Sequence, residues 1–158
     1  MGPKANKAIP ALIKIVSKNP CSLAVRTLSK MGPKALKVAP RLARELHQKI
    51  GFQPKKIPHN LLPRYHTCGL RIMFALKELG PKTIPYLLLA FHDKSWKVRQ
   101  RAATVIGWIG VKNKNVVTAL KKLLTDKHEE VRDKSQEILD KFGIQSKDKS
   151  SLTKFTGQ

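Results

Sequence analysis

The stretch Gly80-Pro81-Lys82-Thr83-Ile84-Pro85-Tyr86-Leu87-Leu88-Leu89-Ala90-Phe91-His92-Asp93-Lys94-Ser95-Trp96-Lys97-Val98-Arg99-Gln100-Arg101-Ala102-Ala103-Thr104-Val105-Ile106-Gly107-Trp108-Ile109-Gly110 decides the fold. Pro81 follows a glycine, at the first turn of a helix, where its missing N–H has no partner to lose. The polar run His92-Asp93-Lys94-Ser95 ends the first apolar segment as a turn. Val98, Ala102, Val105, Ile106 and Ile109 then recur at helical spacing, and Gly110 closes the second helix. No alternating strand pattern competes with this helical hairpin.

The same unit recurs along the chain. Gly2-Pro3-Lys4-Ala5 and Gly32-Pro33-Lys34-Ala35 open earlier copies, and Gly110 and Gly143 mark later boundaries, so the glycine intervals are 30, 48, 30 and 33 residues. Between its two prolines the third copy lacks three residues, nearly one helical turn, which keeps the apolar face in phase. A fourth copy keeps the polar turn Thr125-Asp126-Lys127-His128 and a stripe of Val131, Ser135, Ile138, Leu139 and Phe142. The units fall at about 2–31, 32–79, 80–109 and 110–143. The long interval carries an insert at 50–64, where Pro54, Pro58 and Pro63 forbid a continuous helix. Inserts in repeat proteins often lie on the binding face; the other reading is a loop whose Phe52, Ile57, Leu61 and Leu62 only cover the solenoid edge. Residues 144–158 read as a flexible basic tail.

These residues resemble the HEAT repeat, specifically the short bacterial-type HEAT-like repeats related to those of phycobilisome lyases. The third unit carries the likeness best, with Gly-Pro-x-x-Ile-Pro-x-Leu, Asp93, Val98-Arg99, Ala102-Ala103 and Ile106-Gly107-x-Ile109-Gly110. The resemblance implies an all-α fold, a short right-handed α-solenoid of about four helical hairpins. It also implies that Asp93, Arg99, Asp126 and Arg132 are structural, forming a ladder between neighbouring repeats, and that the second helices line a concave face. It does not imply lyase activity.

Composition narrows the function. The chain has 158 residues, 32 of them lysine or arginine against 10 acids, a formal charge of +22. Residues 1–77 hold 16 bases and one acid, Glu45, so the excess lies mainly in the N-terminal half. A surface of that sign attracts nucleic acid or an acidic protein. No apolar run is long enough for a membrane span, and two cysteines fit a reducing, cytoplasmic setting.

No constellation points to catalysis. His59, His66 and Cys68 lie close in sequence but lack the paired spacing of a zinc site, so no metal is expected. His128-Glu129 is one His-Glu pair, where the HEAT-like deoxyhypusine hydroxylases use several. Asp93, Trp96 and Trp108 offer a remote likeness to HEAT-like DNA glycosylases, but the repeat pattern already accounts for Asp93. Phosphate-cradling glycine loops are absent from the sequence. A non-enzymatic binding module without a cofactor or small-molecule substrate is therefore expected, as a monomer.

The basic surface is the functional candidate. Lys97, Gln100, Arg101 and Thr104 lie opposite the Val98 stripe. By the same spacing Arg26, Lys30, Arg71 and Lys134 extend a track along the second helices, with Lys55, Lys56 and Arg64 added by the insert. Trp96 either stacks on a base or packs. Lysines outnumber arginines 24 to 8, and lysine meets phosphate as a point charge rather than reading base edges. The sequence thus predicts binding of RNA, ribosomal RNA included, or DNA through backbone contacts of a lysine-rich concave surface. The alternative is a scaffold docking an acidic protein.

Overall fold

The computed structural model describes residues 7–19, 23–47 and 68–144. They form eight α-helices that pair in chain order: α1 (Ile9–Lys18) with α2 (Ala24–Lys30), α3 (Ala39–Arg44) with α4 (Cys68–Leu79), α5 (Ile84–Ala90) with α6 (Trp96–Ile109), and α7 (Lys114–Leu123) with α8 (Glu129–Lys141). Among the described residues there is no strand. The insert at 50–64 and the tail beyond Ile144 lie outside the described residues.

Prolines fix where the first helices begin. Pro40 and Pro85 stand in the first turns of α3 and α5. The residues before them, Gly32–Val38 and Pro81–Thr83, wind as 3-10 turns. The sequence suggests one helix from each Gly-Pro onward, and the structure divides it. A proline cannot donate to the carbonyl four residues back and its ring crowds that carbonyl, so an α-helix cannot run through Pro40 or Pro85. Glycines end the units: Gly32, Gly80, Gly110 and Gly143 have φ of 66°, 79°, 77° and 69°, a left-handed conformation that a side chain would strain.

The helices make two layers. The second helices α2, α4, α6 and α8 pack side by side, with α6 against α8 the most extensive contact. The first helices lie over them and are splayed, α5 meeting α7 less closely than it meets α3. Leu28, Leu42, Ile72, Leu76, Leu87, Ile106, Leu120 and Leu139 fill the space between the layers and are fully buried. Each such side chain contributes about 1.5–3 kcal/mol of burial free energy. The closest approach is at Gly107, where an added Cβ would sit 2.9 Å from Ile138 Cγ1.

One ion pair ties the third repeat to the fourth. Arg99 Nε and Nη2 donate to Asp126 Oδ2 and Oδ1 at 2.6 and 2.7 Å. Its Nη1 donates to the main-chain carbonyls of Asp93 and Lys94 at 2.7 and 3.1 Å. The fourth repeat reuses the arrangement: Arg132 Nη1 donates to the Asp126 carbonyl at 2.9 Å. The Asp93 and Asp126 carboxylates each accept a main-chain N–H two residues on, from Ser95 at 2.8 Å and from His128 at 3.0 Å. Each aspartate thus shapes its turn and each arginine braces that turn from behind. Arg99 has spare donors for the neighbouring repeat's carboxylate, in the paired geometry that suits a guanidinium.

The Arg99 and Asp126 side chains are 8% and 7% exposed. Hydrogen bonding from Arg99 holds the Asp126 carboxyl below the usual carboxylate range, against the opposing effect of burial. A carboxylate whose pKa is depressed on folding stabilises above its unfolded value of about 3.9, and that contribution is lost as pH falls through the folded value. Asp126→Ala is expected to lower the unfolding free energy by about 3 kcal/mol near neutral pH, because a buried guanidinium loses its counter-charge. In urea denaturation the gap between variant and wild type should narrow as pH is taken below about 4; a gap that does not change with pH contradicts this account of the pair. Gly107→Val should cost about 1–3 kcal/mol by forcing Ile138 aside, measured in the same way. An unchanged midpoint would show that α6 and α8 are not held at this approach.

Candidate polyanion-binding face

Counting back from the closing glycine of each hairpin aligns the second helices. The position six residues before it holds Arg26, Phe74, Thr104 and Glu137, and the position two before it holds Lys30, Glu78, Trp108 and Lys141. This face is mixed. Among the described residues of α2, α4, α6 and α8, the exposed bases are Arg26, Lys30, Lys77, Lys97 and Lys141. Exposed acids match them: Glu78 on α4, and Glu129, Glu130, Asp133, Glu137 and Asp140 on α8.

The track anticipated along these helices is therefore broken. Arg26 and Lys30 are exposed on α2, while Arg71 is half-buried on α4. Arg101 is a correction: it is 7% exposed and its Nη1 donates to the Leu46 main-chain carbonyl. Burial pulls its pKa below the usual arginine value. The reason is its place on α6, which packs against α4, α5, α8 and the Glu45–His47 turn and so keeps little free surface. Gln100 and Thr104, on the same side, are half-buried. Lys134 is half-buried and bonds to Glu137. Trp96 stacks on His128 of the next repeat, centroids 5.5 Å apart, with Lys97 Nζ 5.5 Å from its ring. Lys55, Lys56 and Arg64 lie outside the described residues, as do His59 and His66. Among the described residues no group of three or more His, Cys, Asp or Glu is placed to hold a metal ion.

The first-helix layer is different in kind. The segment of α1 presents Lys7, Lys14 and Lys18, and the second hairpin adds Lys34, Lys37 and Arg44. Lys82 precedes α5, and α7 presents Lys114, Lys121 and Lys122. All ten are exposed, and among the described residues of the first helices and the 3-10 turns that adjoin them no exposed acid accompanies them, Asp93 standing in the turn into α6. The one carboxylate of these elements, Glu45, is buried and accepts from Arg41 at 2.8 Å. The signal was present in the sequence: from each opening glycine to the following polar turn, Glu45 is the only acid among the described residues.

Splaying of this layer opens two grooves. One, about 250 Å³, lies between α3 and α5 and is lined by Pro40, Ala43, Arg44, Tyr86, Leu89 and Asp93 among others. The other, about 540 Å³, lies between α5 and α7 and has His92, Lys114 and Lys122 at its edges. Among the described residues no helix is long and apolar enough to cross a membrane.

A family model for HEAT repeats matches residues 72–157, more than half of the chain. No curated protein matches it. The paired helices, the repeated turn aspartate and bracing arginine, and this match agree: the chain belongs to the HEAT-repeat family, whose repeats build interaction scaffolds.

Proposed function

We propose that this scaffold binds nucleic acid, RNA or DNA, through phosphate contacts made by the first-helix layer, without catalysis. The observation that carries the proposal is the run of ten exposed lysines and arginines with no exposed acid among the described residues of the first helices and their adjoining 3-10 turns. Such a surface gains by releasing the counterions condensed on a phosphate backbone, and it gains little from base identity. Nine of the ten are lysines, which contact phosphate as flexible point charges rather than as rigid two-pronged readers. Adjacent helices in a layer lie about 8–10 Å apart, so four of them span on the order of ten base pairs at about 3.4 Å each. The second-helix layer, with acids interleaved, suits such a ligand poorly.

The test is a salt series with labelled duplex and single-stranded RNA and DNA. With about five phosphate contacts, affinity should fall several hundredfold between about 50 and 200 mM salt, with little dependence on sequence. Replacing Lys14, Lys37 and Lys121 together by glutamate should flatten that slope by about three contacts. The same change at Arg26, Lys30 and Lys97 should have a much smaller effect. Tight binding of an acidic protein with no binding of nucleic acid at about 100 mM salt refutes the proposal and favours the protein-docking alternative.

A further inference from the structure

We infer that the groove between α5 and α7 seats an unpaired nucleotide of a single-stranded or looped nucleic acid, an assignment that rests on the phosphate-binding reading of the first-helix layer. Its floor is apolar, made by Leu88, Phe91, Ala119 and Leu123, and its rim is polar, made by His92, Lys114, Asn115, Thr118 and Lys122. No acid lines it, whereas the groove between α3 and α5 includes Asp93. At about 540 Å³ it falls within the range of pockets that hold small organic ligands.

The rim chemistry selects the occupant. Lys114, Thr118 and Lys122 stand four residues apart on one stripe of α7, so the two ammonium groups spring from points about 12 Å apart along the helix. From origins that far apart, the two flexible lysine stems can close on the phosphates that flank one seated nucleotide. Between the lysines, Asn115 and Thr118 are exposed and line the groove. An asparagine amide offers a donor and an acceptor together, which matches the edge of a base and exceeds what a carboxylate needs. The apolar floor suits the face of a base, since stacking and burial there need no particular sequence. A paired duplex keeps its bases inside the stack and cannot present one to a slot between two helices; an unpaired strand can.

The decisive comparison uses the full chain and three probes of similar length: a single strand, the corresponding duplex, and a peptide of glutamates. Thr118→Trp fills the groove from its exposed rim, and Asn115→Ala removes the amide that would meet the base edge without changing the charge of the face. Each should weaken single-strand binding about tenfold, the equivalent of one or two hydrogen bonds, and leave duplex binding within about twofold. Circular dichroism and the duplex affinity together report that the variants are folded. Equal losses for strand and duplex, or no loss for the strand, overturn the groove assignment while leaving the phosphate-binding face standing. Preference for the glutamate peptide over the strand overturns it as well. If no nucleic acid binds the wild-type chain at all, the groove assignment falls together with the proposed function.

Discussion

Close packing of the second helices is the constraint from which the rest of the molecule follows. Where α6 meets α8, Gly107 leaves its Cβ position to Ile138, and Lys141 Nζ reaches the Gly107 carbonyl at 3.1 Å. On the packed flank of a second helix, between such neighbours, a side chain has little access to water. Arg101 shows the consequence: a side chain on this layer that is flanked by neighbours is desolvated and must find a carbonyl within the protein. Buried charges persist only when hydrogen-bonded or paired. The first helices touch one another less, and the exposed bases they carry are not interleaved with exposed acids as those of the second helices are.

The same packing explains why one acid-base pair is internal while other acids stand at the surface. Arg99 and Asp126 meet across the repeat boundary with every nitrogen of the guanidinium engaged. Removing two charges from water is costly, and the attraction offsets that cost only with such geometry. In return the pair sets register: it can form only when the turn of the fourth repeat lies beside the start of α6. The second repeat has Gly69 eleven residues before its closing glycine, where the third and fourth have Arg99 and Arg132. The rung is therefore confined to the C-terminal pair of repeats, the same part in which the second helices make their most extensive contact.

Much of this fold was legible in the sequence because it depends on local signals. The glycine that closes each hairpin, the turn aspartate and the apolar stripe of α6 are each fixed by backbone chemistry within a few residues, and they appear where the spacing puts them. The placement of charge was less legible. Helical spacing alone sets Arg101 on the side of α6 opposite Val98 and Ala102, yet spacing cannot report that the Glu45–His47 turn, more than fifty residues earlier, covers that side. Trp96 was open between stacking on a ligand and packing; His128, which occupies its face, arrives from the next repeat. The acid-free first helices were visible as composition and became a surface only once the layers were known.

The outer face carries an energetic consequence of its own. Ten like charges at the surface repel one another, and salt screens that repulsion only beyond about 8 Å at physiological ionic strength. Cations on neighbouring first helices, about 8–10 Å between axes, lie near that limit. Like-charge repulsion of this kind works against the compact state. No exposed carboxylate on the described first helices relieves it; most of the exposed acids stand on α8 in the opposite layer, and Asp93 stands at the turn after α5. A polyanion laid along the face would remove that repulsion, and ligand and fold would then stabilise each other by linkage. Splaying of the first helices, which lowers their mutual burial, thus also separates their charges.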